Sequence, residues 1–156
     1  MSIAVDSNIL FDILLPDPRY QESSLSLLTE YGNRHSLIIS EIVYGELAAQ
    51  FPDRNLLLDF LAHTDIRLVN SGPDALWISS KAWQEYSKTR PVELQCVACG
   101  NMQRLICEKC DTVITCRQHI LSDFLIGGHA LVYSGKLLTR DRGYYRRYFP
   151  GLKLVI

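Results

Sequence analysis

The chain opens on a short apolar run, Ile3-Ala4-Val5, that stops abruptly at an acid, Asp6. A run of that kind suits a buried strand. Beyond it, Ile9, Leu10, Ile13 and Leu14 recur at the three-and-four spacing of one helix face. Asp6 or Ser7 can cap that helix, because a short polar side chain accepts from its free N–H groups. Pro16 and Pro18 stop it. Tyr20 to Tyr31 carries Leu25, Leu27 and Leu28 and predicts a second helix closed by Gly32. Ser36-Leu37-Ile38-Ile39 reads as the next strand. Ser40 then caps a helix from Glu41 to about Phe51, with Val43, Leu47 and Phe51 on one stripe. A further helix spans Leu56 to Ala62, a third strand Ile66 to Val69, and a long helix runs from Pro73 to just before Pro91.

From about 92 to 116 the periodicity fails, and all five cysteines fall in this stretch. Helical patterning returns at Ile120 to Tyr133 and ends at Gly135. Lys136 to Thr139 and Leu152 to Ile156 read as two last strands. Strands alternating with helices imply an α/β fold, with a mainly parallel sheet covered on both faces. In open sheets of this class, ligands bind beyond the carboxyl ends of the strands. The expected organisation is one domain over 1–156, interrupted by a cysteine-rich insert at about 92–116.

Composition adds little beyond exclusions. With 156 residues, 47% apolar and 21% charged, the chain is neither disordered nor fibrous. It is large enough to fold without disulfides. No apolar run approaches the roughly 20 residues needed to span a bilayer. The opening Met1-Ser2-Ile3-Ala4-Val5-Asp6 lacks a basic region and does not read as a signal peptide. The expected location is cytoplasmic, with no membrane partner. Charge is uneven. Residues 1–90 hold 12 acids and 7 bases, a net of −5, whereas 91–156 hold 5 acids and 9 bases, a net of +4. Such asymmetry is compatible with a polyanionic partner for the C-terminal half and equally with ordinary surface charge.

Four acids stand where the sheet rule looks for chemistry. Asp6 follows the first strand directly, and Asp141 follows the Leu137-Leu138-Thr139 strand by two residues. Glu46 lies inside the helix after the second strand, and Asp123 opens the helix after the insert. Each has a local explanation: Asp6, Ser122 and Asp123 as caps, Glu46 as a solvated position, Asp141 as a turn residue. If the four converge, they cannot all remain ionised unless a cation neutralises them. Oxygen ligands suit Mg²⁺ or Mn²⁺, and such a centre predicts hydrolysis of a phosphodiester.

The cysteines form Cys96-Val97-Ala98-Cys99 and Cys107-Glu108-Lys109-Cys110, two C-x2-C pairs separated by seven residues. Four thiolates so paired can close a tetrahedron around a structural Zn²⁺. Gly100 permits the backbone reversal, and the short gap can form a tight hairpin. Disulfides fit a reducing compartment poorly, and a redox pair would leave two cysteines over. Cys116 and His119 could replace a ligand, but they read better as part of the returning fold. His129 reads as a packing residue.

The blocks Val5-Asp6-Ser7-Asn8-Ile9-Leu10, Val43 to Ala48 around Glu46, Ile120 to Ala130 around Asp123, and Leu137 to Pro150 around Asp141 together resemble PIN-domain ribonucleases. The likeness is nearest to the VapC toxins of toxin–antitoxin pairs. It implies a PIN-like α/β/α sandwich, here with a small zinc-ribbon-like insert that ordinary members lack. It implies Mg²⁺- or Mn²⁺-dependent RNA cleavage. Carried over residue by residue, Asp6, Glu46, Asp123 and Asp141 become catalytic metal ligands, with Ser7, Asn8 and Thr139 in support. Arg140, Arg142, Arg146 and Arg147 become contacts to RNA or to a partner. An antitoxin and a homodimer are the implied protein partners. The competing readings are an RNA-maturation nuclease of the same fold, or a non-catalytic RNA- or protein-binding module built on the zinc insert.

Overall fold

In the computed structural model, residues 1–90, 92–96, 99–114, 119–141 and 143–155 are described. In chain order the elements are β1 (Ser2–Val5), α1 (Ser7–Leu14), α2 (Gln21–Gly32), β2 (Ser36–Ile39), α3 (Glu41–Ala48), α4 (Arg54–His63), β3 (Ile66–Leu68) and α5 (Pro73–Thr89). There follow β4 (Leu94–Gln95), β5 (Met102–Gln103), β6 (Leu105–Ile106), β7 (Val113–Ile114), α6 (Leu121–Tyr133), β8 (Lys136–Leu138), α7 (Tyr144–Tyr148) and β9 (Lys153–Val155).

The central sheet has the order β3-β2-β1-β8-β9. Every neighbouring pair in it is parallel, as the alternation of strands and helices predicts. Its three inner strands, β2, β1 and β8, carry apolar runs because both faces are covered there. Ile3, Ala4, Val5, Leu37, Ile38, Ile39, Leu137 and Leu138 are all buried. From β1 the chain winds outward through β2 to β3, then returns to the other side of β1 to lay down β8. The reversal of winding falls between β1 and β8, where a crevice opens at the carboxyl ends. Asp6 and Thr139 are the residues that leave those two strands.

The helix boundaries depart from the sequence pattern in three places. The helix after β2 ends at Ala48, short of Phe51, because the chain tightens into a turn in which Gln50 N–H donates to Leu47 O at 2.8 Å. The next helix begins at Arg54, earlier than Leu56, because the Asp53 carboxylate caps the N–H groups of Asn55 and Leu56 at 2.8 and 3.1 Å. The five-residue α7 is not predicted at all. One turn of Tyr-Tyr-Arg-Arg-Tyr is too short to display a period, and it forms by packing the Tyr144 and Tyr145 rings into the core.

The insert corrects a second expectation. The seven residues between the cysteine pairs do not make one hairpin. They supply β5 to a hairpin with β4, and β6 to a separate hairpin with β7. Each cysteine pair occupies the turn of its own hairpin, and the two turns are built alike. Cys96 N–H donates to Asn101 O at 2.8 Å and Gly100 N–H to Cys96 O at 2.8 Å; Cys107 N–H donates to Thr112 O at 2.9 Å and Asp111 N–H to Cys107 O at 2.9 Å. Gly100 and Asp111 stand at the same place in the two turns, with φ of 75° and 54°. Cys99, Cys107 and Cys110 are free thiols. A hydrogen bond from Thr112, and then one from Cys107, pulls the Cys110 thiol below its ordinary pKa.

Among the described residues, no three His, Cys, Asp or Glu side chains are placed to share one ion. No strand ladder among the described residues joins the two hairpins. Cys116 lies outside the described residues.

α5 and α6 pack against each other across Gly128. A Cβ at that position would meet the Ser79 hydroxyl and would lie 2.6 Å from the Ala75 carbonyl oxygen. The close approach fixes the helix that carries Asp123. Among the described residues no helix is long and apolar enough to cross a membrane. Gly128→Ala is expected to destabilise the fold by about 1–3 kcal/mol through overpacking. Denaturant unfolding checks this, and an unchanged midpoint would show that the two helices can separate freely.

Candidate active site

Asp6 occupies the cap position of α1, but its carboxylate accepts no backbone bond from that helix. It turns instead into the crevice between β1 and β8. Oδ2 accepts from Thr139 Oγ1 at 2.7 Å, from Asn8 Nδ2 at 2.9 Å and from the Tyr145 hydroxyl at 3.3 Å. Oδ1 has only the Ser7 hydroxyl, at 3.4 Å. Thr139 is itself held, since its Oγ1 also accepts from Asn8 Nδ2 at 3.1 Å and from Asp141 N–H at 3.0 Å. Asn8 Oδ1 closes the ring by accepting from Arg140 N–H at 3.3 Å. The three supporting residues expected from the sequence thus all gather on Asp6.

A carboxylate 5% exposed is costly to ionise. Burial raises the Asp6 pKa most, the Thr139 hydrogen bond opposes it, and the charges of Asp123 and Glu46 raise it again, leaving it at about 6 against an ordinary 3.8. Asp6 therefore senses both other acids, one from α6 and one from α3. Those helices reach the crevice from different parts of the chain. Asp123 is half-buried in the first turn of α6, where Oδ2 accepts from Ile120 N–H at 3.0 Å and lies 3.5 Å from His119 Nδ1. Glu46 has no hydrogen bond or ion pair among the described residues. Asp141 stands slightly apart. Its Oδ1 accepts from the N–H groups of Gly143 and Tyr144, both at 3.0 Å, so one oxygen serves the turn into α7.

The arginines expected to meet RNA or a partner divide. Arg140 Nε lies 2.8 Å from Oδ2 of the buried Asp12, and its guanidinium sits 4.3 Å from the Tyr20 ring centroid. That pairing, also braced by Ser24 on Asp12 at 2.6 Å, ties α1 and α2 to the end of β8. Arg146 and Arg147 are exposed on α7, and Arg142 lies outside the described residues. His129, read as a packing residue, is buried but polar in contact: its Nδ1 is 3.2 Å from the Ser71 hydroxyl, which also meets Glu41 at 3.0 Å. Sequence reasoning missed Tyr144 and Tyr145. Both are buried beside the acids, and only their position three and four residues after Asp141 hints at it.

The donor set suits a hard divalent ion. It is made of carboxylate oxygens, and the repulsion raising the Asp6 pKa is the strain such an ion relieves. Arg140, the arginine nearest to Asp141 in sequence among the described residues, directs its charge at Asp12 instead. As they stand, the carboxylates face one crevice without forming a closed cage, since no three are in position to share an ion among the described residues. Asp6, Glu46 and Asp123 would be the holders.

The raised Asp6 value also sets a pH dependence. The folded chain holds this proton more tightly than the unfolded chain, so acid favours folding. The contribution is complete below 3.8 and is lost as pH rises through about 6. In metal-free protein at pH 8, Asp6→Asn is expected to be the more stable form by about 2–3 kcal/mol, with the gap closing near pH 4. Calorimetric melts across that range test it; an Asn variant less stable at pH 8 would contradict the burial of a repelled charge.

The comparisons with known proteins agree with this geometry. The family model described as PIN domain matches residues 3–150. No curated protein matches the sequence. Among solved structures, VapBC2 from Rickettsia felis, bound to a DNA fragment from their promoter, includes a chain with a TM-score of 0.61 at 15% identity, covering 99% of this chain and 98% of that one. FitAcB from Neisseria gonorrhoeae includes one with a TM-score of 0.60 at 18% identity, covering 100% and 97%. At such identities the solved structures speak for the fold. The sheet order, the crevice acids and the match over nearly the whole sequence make this chain a member of the PIN-domain family.

Proposed function

We propose that this protein is a divalent-metal-dependent endoribonuclease, the toxin of a toxin–antitoxin pair. The observation that carries the reading is the buried Asp6, hydrogen-bonded to Thr139 and Asn8 and repelled by Asp123 and Glu46, at the switch point of the sheet. Mg²⁺ or Mn²⁺ bound there supplies charge neutralisation, polarisation of the phosphate and a coordinated water of lowered pKa. The protein's own part is positional. Thr139 and Asn8 hold Asp6 Oδ2, which leaves Oδ1 with its single long contact as the oxygen to face the ion. Asp123 is fixed by the Ile120 N–H at the start of α6, and Glu46, unpaired among the described residues, is free to orient water or ion. Asp141 anchors α7 at the rim and completes the acidic set.

The partner reading is supported by the two solved neighbours, which come from the VapBC and FitAB systems. An antitoxin is the corresponding partner here; a homodimer is what the family resemblance alone implies. For the insert, the twin cysteine turns with their matched backbone bonds support one structural Zn²⁺, whose binding would draw the two hairpins together and offset the entropy of ordering the loop. The insert precedes His119 and Asp123 in the sequence, so clamping it would steady the edge of the crevice.

Purified protein should cleave RNA with Mg²⁺ or Mn²⁺ and stop with EDTA. Asp6→Asn and Asp123→Asn should each lower cleavage by about 100-fold or more; wild-type rates in both variants would refute the site. Elemental analysis should find about one zinc per chain, and folded protein lacking zinc would remove the metal from the insert.

A further inference from the structure

Tyr144 lies at the start of α7 with 6% of its surface exposed. Its ring is fixed on several sides. It stacks on His119 at 4.1 Å and 25°, and meets Phe124 edge-on at 4.9 Å and Tyr145 at 4.8 Å. Its backbone N–H is held by Asp141. Yet its buried hydroxyl has no hydrogen-bond partner among the described residues. The contrast with the next residue is direct, because the Tyr145 hydroxyl donates to Asp6. A buried hydroxyl with nothing to bond is costly, and native proteins rarely tolerate one without a reason.

The surroundings indicate what would satisfy it. A phenol is an O–H donor, and this one belongs to a residue held against the acids: its N–H bonds Asp141, and its ring stacks on His119, which lies 3.5 Å from Asp123. A cation on those carboxylates would draw in an anion, and the oxygens of that anion are acceptors. We propose that the Tyr144 hydroxyl donates a hydrogen bond to a non-bridging oxygen of the phosphodiester bound at the acidic crevice. This rests on the nuclease reading and adds a substrate contact to it. The His119 ring, stacked beneath Tyr144 and 3.5 Å from Asp123, then aligns the donor with the acid.

Tyr144→Phe removes the donor and keeps the ring. Three measurements test it. The melting temperature should hold or rise, since an unsatisfied hydroxyl is lost; a clear fall would mean that the hydroxyl bonds within the protein, and would overturn the proposal. Affinity for a 5′-phosphorylated dinucleotide, titrated calorimetrically in Mn²⁺, should fall about tenfold, a change that a purely structural ring would not produce. Turnover on RNA should fall about 10- to 100-fold. If the wild type binds and cleaves but the variant matches it in both, the Tyr144 contact is wrong while the nuclease reading stands. If the wild type itself neither binds the dinucleotide nor cleaves, the nuclease reading fails and this contact falls with it.

Discussion

The structure turns on one buried carboxylate. Asp6 sits at the point where the winding of a parallel sheet reverses. There the Asp6 N–H still pairs with Leu138 O at 3.0 Å, and the side chain turns into the gap beyond. A charge in that place is expensive. The molecule compensates with four donors, Thr139, Asn8, Tyr145 and Ser7, and then undoes much of the gain through the charges of Asp123 and Glu46. Donors that steady a carboxylate and acids that repel it are of no use to a fold alone. Together they make a pocket poised for a positive ion.

The rest of the fold serves that pocket. β1 and β8 deliver Asp6 and Thr139 side by side, in register Ala4 to Leu137 and Val5 to Leu138. The close approach at Gly128 sets α6 on α5 and so places Asp123. Arg140, clamped on Asp12 beneath Tyr20, ties α1 and α2 to the end of β8, so that Asn8 and Thr139 cannot drift apart. The aromatic cluster of Tyr86, Phe124, Tyr144 and Tyr148 walls the other side of the crevice and receives His119 as the chain leaves the insert.

Much of this was legible in the sequence. The three inner strands stand out because burial on both faces writes Ile3 to Val5, Leu37 to Ile39 and Leu137 to Leu138 as apolar runs, each followed by a polar residue, Asp6, Ser40 or Thr139. The position of Asp6 was legible, but its cap and ligand readings stayed open in the sequence. The side chain declines the helix N–H groups, which removes the cap reading. Asp141 does give one oxygen to a turn, as its local reading expected. α7 was invisible because a single turn has no period, and with it went the two tyrosines. The pairing of the cysteines was plain from spacing. Their arrangement in two separate hairpins was not, because seven residues can close one hairpin or feed two, and only the αL residues Gly100 and Asp111 mark both turns. Arg140 read as a surface cation, since the pattern of α1 gives no sign that Asp12 is turned inward to meet it.

The most direct measurement of the central claim is an anomalous difference map from a crystal grown or soaked in Mn²⁺. A peak bounded by the carboxylates of Asp6, Asp123 and Glu46, at the mouth between β1 and β8, is the predicted result. A clean map at that mouth with manganese bound elsewhere, or nowhere, would contradict it.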